Sequence, residues 1–160
     1  MSARGEVITK VRLRPAIREA VEQAAVTIDR PGVRALRTLL HAGISQHVPL
    51  ITASPDKHIE AYESAVRMLR ARQGRWTGRV ADPAATEAFL ELEKEAAEFL
   101  RLCAELSGTQ WLEPVESIAA YGLSLVRGAI LRWLADFDDE AILVVLDDLV
   151  STIAMKAVEL

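Results

Sequence analysis

The chain has 160 residues, 51% of them hydrophobic and 26% charged, which supports a real apolar core and excludes a disordered chain. A single cysteine, Cys103, excludes an internal disulfide framework and fits a reducing cytoplasm. The net charge of −4 hides an asymmetry: residues 1–44 hold 8 basic and 4 acidic side chains, giving +4, while residues 45–160 hold 11 and 19, giving −8. A basic head on an acidic body is the distribution expected of a protein that offers its head alone to a polyanion.

In chain order, Arg4, Glu6 and Lys10 interrupt any secretory apolar run. KVRLRP, residues 10–15, then alternates as a strand does, with Val11 and Leu13 on one face and Lys10, Arg12 and Arg14 on the other. Everything after it reads as helix, so such a strand needs a second copy of itself from another subunit. Two antiparallel copies make a ribbon narrow enough for the DNA major groove, where Lys and Arg reach guanine.

A helix is predicted from Ala16 to about Ile28, with Ile17, Val21, Ala24 and Ala25 on one face. Asp29-Arg30-Pro31-Gly32 breaks it. A second helix, Val33 to His41, carries apolar Ala35, Leu36, Leu39 and Leu40 and closes near Gly43. Ser45–Pro55 reads as a connector, dividing a head, 1–44, from a helical body, 56–160.

Four body helices are predicted. The first runs from Asp56 to about Arg72 with Ile59, Tyr62, Val66 and Leu69 in register, and a turn region over Gln73–Pro83 follows. The second, Ala84 to Leu106, has a stripe of Phe89, Leu92, Ala96, Phe99, Cys103 and Leu106. The last two, Pro114 to Ala135 and Glu140 to about Val158, are joined by DFDD, whose aspartates suit a helix N-terminus. Ile118–Leu134 is very apolar but carries Arg127 and Arg132, and so reads as a buried helix rather than a membrane span. Both final helices are apolar beyond one stripe: Leu123, Leu131 and Leu134 widen the first, Leu143 and Val144 the second. Few other elements exist to cover them, so dimerisation through this pair is expected.

No catalytic or metal pattern emerges. His41, His47 and His58 are not at i, i+4 spacing, and no phosphate-binding or nucleophile motif occurs. Cys103 reads as a small core residue. No catalytic residue, metal or cofactor is expected, and no membrane association.

The N-terminal segment, Val7 to Ile44, resembles the ribbon-helix-helix family of bacterial DNA-binding proteins: VRL, proline at the first helix start, apolar Ile17, Val21, Ala24 and Ala25, Arg30 at the turn, then Ala35, Leu36, Leu39, Leu40 and Gly43. The resemblance implies a DNA-contacting set of Ile8, Lys10, Arg12 and Arg14 from the strand with Arg30, Pro31, Gly32 and Val33 at the turn. In that set, backbone amides around Pro31–Val33, of which Pro31 itself has no N–H, lie against a phosphate. Asp29 stands where these proteins carry glycine or asparagine, and Pro31 replaces the usual serine or threonine cap.

The body, residues 55–157, resembles the C-terminal domain of TetR-family transcriptional regulators, on VESIAAYGLSLVRGAILRWLADFDDEAILVVLDDLVSTI and the preceding DPAATEAFLELEKEAAEFLRLCAEL. This implies a homodimer through the two C-terminal helices and a pocket for a small apolar effector, with Tyr62, Phe89, Phe99, Trp111, Tyr121 and Trp133 as its aromatic lining. The expected fold is thus mainly α: an N-terminal strand and two helices, the strand paired across a dimer, followed by a four- to five-helix TetR-like domain. The expected function is a cytoplasmic homodimeric transcriptional regulator, such as a repressor, binding double-stranded DNA. Two alternatives stay open: a TetR-type regulator with a degenerate helix-turn-helix, on GIS at 43–45 and PDK at 55–57, and a non-DNA-binding ligand or interaction protein.

Overall fold

The computed structural model describes residues 13–73 and 83–160, and the fold is mainly α-helical. Its elements are α1 (Pro15–Val26), α2 (Val33–Ser45), α3 (His47–Ala53), α4 (Pro55–Gln73), α5 (Pro83–Ser107), β1 (Thr109–Trp111), α6 (Val115–Asp136), α7 (Asp139–Ala154) and β2 (Ala157–Glu159). The sequence read as a ribbon strand lies mostly outside the described residues, as does most of the stretch 73–83 expected to be a turn region. Leu13, the described apolar residue of that ribbon, is in no strand and packs into the core. Among the described residues the only strands are β1 and β2 near the C-terminal end.

Pro15 sets the first turn of α1, where its missing amide costs nothing. Ile17 and Val21 are the buried face. The chain re-enters helix through Gly32, at φ +131°, a conformation side-chain-bearing residues rarely adopt. Its N–H donates to the Ser107 carbonyl at 2.7 Å, fastening the start of α2 to the end of α5. Leu36, Leu39 and Leu40 of α2 are wholly buried, and α2 packs on α1, α5 and α7. Thus α2 is the central helix of the core. It runs on past Gly43 to Ser45, because Gly43 serves close approach to Phe99 of α5 and not termination.

The expected connector contains α3. Its Ile51 is buried, the Thr52 hydroxyl donates to the Val48 carbonyl at 3.1 Å, and the His58 ring lies 3.1 Å from the Ile51 carbonyl. These side-chain bonds and one buried anchor outweigh the weak helix propensity of HVPLITA.

In α5 the buried face is Ala97, Leu100, Cys103, Ala104 and Ser107; of the predicted stripe Cys103 is buried and Ala96 and Phe99 pack against the core. Phe89 and Leu92 are exposed, because the first half of the helix extends beyond the elements it packs on, and Leu106 in the last turn is exposed beside the buried Ala104 and Ser107. The final helices form an antiparallel pair, with Gly122 against Ile153. As the sequence implied, Asp138 caps α7, its carboxylate accepting from the Glu140 and Ala141 amides. α7 stops at Ala154, not near Val158, because Ala157–Glu159 pairs antiparallel with Thr109–Trp111. Gly108, at φ +67°, turns the chain from α5 into that ribbon.

Candidate functional site

Three surfaces carry the functional candidates. The first is the basic head. Ile8, Lys10 and Arg12 lie outside the described residues. Arg14 precedes α1 and pairs with Glu95 of α5, Nε to Oε1 3.2 Å. Arg30 and Pro31 are exposed in the α1–α2 turn, while Gly32 is buried and Val33 half-buried. The Gly32 amide is committed to Ser107, and Glu159 lies against Gly32, so a carboxylate of this chain already neighbours the α2 N-terminus. Arg34 and Arg37, missed by the sequence reading, extend the exposed cationic surface along α2, and Arg37 Nη2 donates to Ser151 Oγ at 2.9 Å. Their i, i+3 spacing was the available signal.

Behind Arg14 sits a half-buried histidine. Burial lowers the His47 pKa, the Arg14 charge lowers it further, and Glu95 opposes both. Glu95 Oε1 is itself buried, in an ion pair whose angle makes no hydrogen bond. Folding therefore favours the neutral form of His47, whereas the unfolded chain takes up its proton around the ordinary histidine pKa of about 6.5. Stability is expected to fall as pH drops from neutral through that value, and His47→Gln should flatten the fall. Urea midpoints of parent and variant at neutral and mildly acidic pH check this; identical pH slopes would refute it.

The second surface is a groove of about 880 Å³ between α4 and α6, walled by Ile59, Tyr62, Val66, Leu131, Leu134 and Ala135 and edged by Glu63, Arg67 and Arg70. Of the predicted aromatic lining only Tyr62 belongs to it. The Tyr62 hydroxyl donates to the Arg127 carbonyl, and burial raises its pKa. Phe89 stands nearby under the Arg127 guanidinium, 4.5 Å from the ring centre. The other four are dispersed. Phe99 packs on Gly43, Trp111 Nε1 donates to the Leu100 carbonyl at 3.1 Å, and Tyr121 lies 5.5 Å from Lys156 Nζ. Trp133 is buried, bonded to Asp139 at 2.8 Å and edge-on to Phe137 at 5.0 Å. Phe99, Trp111 and Trp133 pack in or against the core, and Tyr121 is exposed. The α4 stripe was legible from its spacing, but nothing in the sequence said it would stay half open.

The third surface is the outer flank of α6 and α7. Tyr121, Leu125, Gly128 and Arg132 follow one another along α6, away from the buried Ile118–Trp133 face, and all are exposed. Ala141, Val145, Asp148 and Thr152 follow one another along α7, with Val145 and Asp148 exposed and Ala141 and Thr152 half-buried. Leu143 and Val144, on other sides of α7, are exposed by 49% and 68%. Only 28% of the most apolar stretch of α6 is buried, although by length and composition that helix is apolar enough to cross a membrane. A Cβ at Gly128 would meet nothing within 4 Å, so no neighbour in this chain requires glycine there. Its place in a helix interior costs about 1 kcal/mol relative to alanine.

Among the described residues no group of three or more His, Cys, Asp or Glu side chains is placed to hold a metal ion. Cys103 is fully buried, and burial pushes its thiol pKa upward, away from nucleophilic chemistry. Comparison with protein-family models, curated proteins and solved structures finds no match to this chain.

Proposed function

We propose that the protein is a homodimeric transcriptional regulator whose basic N-terminal segment binds double-stranded DNA and whose α6–α7 flank joins the two subunits. The observation that carries the reading is the uncovered flank itself. Leaving its large side chains in water is costly at about 25 cal/mol per Å², and a second copy covers it most simply. A two-fold axis then presents the +4 segment twice, as a repeated half-site requires. The α3 helix, HVPLITA, holds no Lys, Arg, Asn or Gln and would read bases poorly, which favours residues 7–14 over a degenerate helix-turn-helix as the DNA-contacting element. A small apolar effector would act from the α4–α6 groove by binding two dimer arrangements unequally.

Duplex binding is expected to weaken steeply with added salt as phosphate counterions are released. Lys10→Ala with Arg12→Ala should remove sequence preference and leave the dimer intact. Titrations of the parent and the double variant across a salt series decide it; equal operator affinity in both would exclude the ribbon. The rival reading, a ligand or interaction protein without DNA binding, is favoured by the commitment of the α2 N-terminus to Ser107 and Glu159. It requires that duplex binding be absent.

A further inference from the structure

We infer that the α4–α6 groove binds a single-chain amphiphile with an anionic head, a fatty acid being the simplest case. This deepens the effector reading above and rests on it for the groove's being a ligand site. The chemistry comes from the walls. Ile59, Tyr62 and Val66 of α4 face Leu131, Leu134 and Ala135 of α6, a lining suited to an alkyl chain. Val66 and Leu69 remain 50% and 57% exposed, so neighbouring helices leave this stripe unfilled.

The polar edge is cationic on balance. Arg67 and Arg70 stand against the single acid Glu63, and neither arginine has an ionic partner among the described residues. Arg127, the other nearby cation, is withdrawn from this role by its stacking on Phe89 and Tyr62. Residues three apart on a helix share a side, so both guanidinium groups can meet one carboxylate, with charge-assisted bonds stronger than neutral ones. Length fits as well. At about 1.5 Å per residue, Ile59 and Arg70 lie about 17 Å apart along the axis, close to an extended dodecanoate. Charge complementarity therefore selects a small amphiphilic anion over a purely apolar effector.

The test titrates the full chain calorimetrically with dodecanoate below its micelle concentration and with dodecyltrimethylammonium, which has the same tail and the opposite head charge. Dodecanoate should saturate one site per chain, and the cation should bind about tenfold more weakly. Arg67→Ala with Arg70→Ala should erase that preference, and Val66→Glu should abolish binding of both with the helical circular dichroism retained. Should Val66→Glu fail to fold, the arginine pair alone decides. Equal binding of the two amphiphiles, or a preference that survives loss of both arginines, overturns the proposal. So does dissociation of the dimer by dodecanoate, which would give the groove to a second copy, or co-sedimentation with phosphatidylglycerol vesicles in place of saturable binding, which would make it a membrane surface. Saturable dodecanoate binding that leaves operator affinity unchanged supports the site and removes only the effector role. Absent binding with intact operator recognition removes the site and leaves the DNA reading standing.

Discussion

Gly43→Ala is expected to destabilise the protein by about 2 kcal/mol, although alanine is the better helix former by about 1 kcal/mol. The added Cβ would overlap the Phe99 ring at Cε2 and Cζ, closer than real contacts occur. The obstacle is a planar ring on α5, itself packed against the core, and it cannot bend aside as a lysine tip would. Relief requires α2 and α5 to separate, yet α2 carries the wholly buried Leu36, Leu39 and Leu40 and is fastened by its Gly32 amide to Ser107. Urea unfolding measures the effect as a lower midpoint at unchanged slope. Phe99→Ala in the same chain removes the ring, so the double variant should lose much less than the two single losses summed. Gly43→Ala as stable as the parent would mean that α2 and α5 are not in this close contact.

The same glycine shows where sequence reading ends. The helices were legible because apolar residues at 3.6-residue spacing have only one structure in which they share a face, and Asp138 and Pro15 marked helix starts by chemistry that needs no tertiary context. What spacing does not reveal is which side of a helix meets a neighbour. In α5 the alanines Ala97 and Ala104 lie inside while Phe89 and Leu92 lie outside, since burial follows where other helices end and not how apolar a residue is. The ribbon of Thr109–Trp111 with Ala157–Glu159 was illegible for a related reason: three residues are too few for alternation to register, and the partner is distant in sequence. The candidate site divides likewise. The excess apolar character of α6 and α7 was visible, whereas the groove depends on how α4 lies across α6.

That excess sets the second large effect. Gly128→Phe and Leu125→Asp are each expected to convert the proposed dimer to monomer, read as a halved mass in sedimentation equilibrium, while helical content is retained. Both positions are exposed within one chain, so neither change should disturb its core. Gly128 has open space above its Cα, and in a dimer that space is where a helix of the second subunit comes close. A phenylalanine there would hold the two backbones apart, and an aspartate at 125 would strand a charge at the proposed seam, costing several kcal/mol. Gly128→Ala separates the two states of the flank. If the flank faces water, alanine gains helix propensity and raises stability by about 1 kcal/mol at every protein concentration. If the flank is a close-packed seam, alanine weakens association, and the loss diminishes as concentration rises, because subunit binding contributes to stability by mass action. A thermal-midpoint series over a hundredfold range of concentration therefore settles what covers α6 and α7. A concentration-independent gain for Gly128→Ala, together with a monomeric parent, would remove the dimer and the paired half-sites that depend on it.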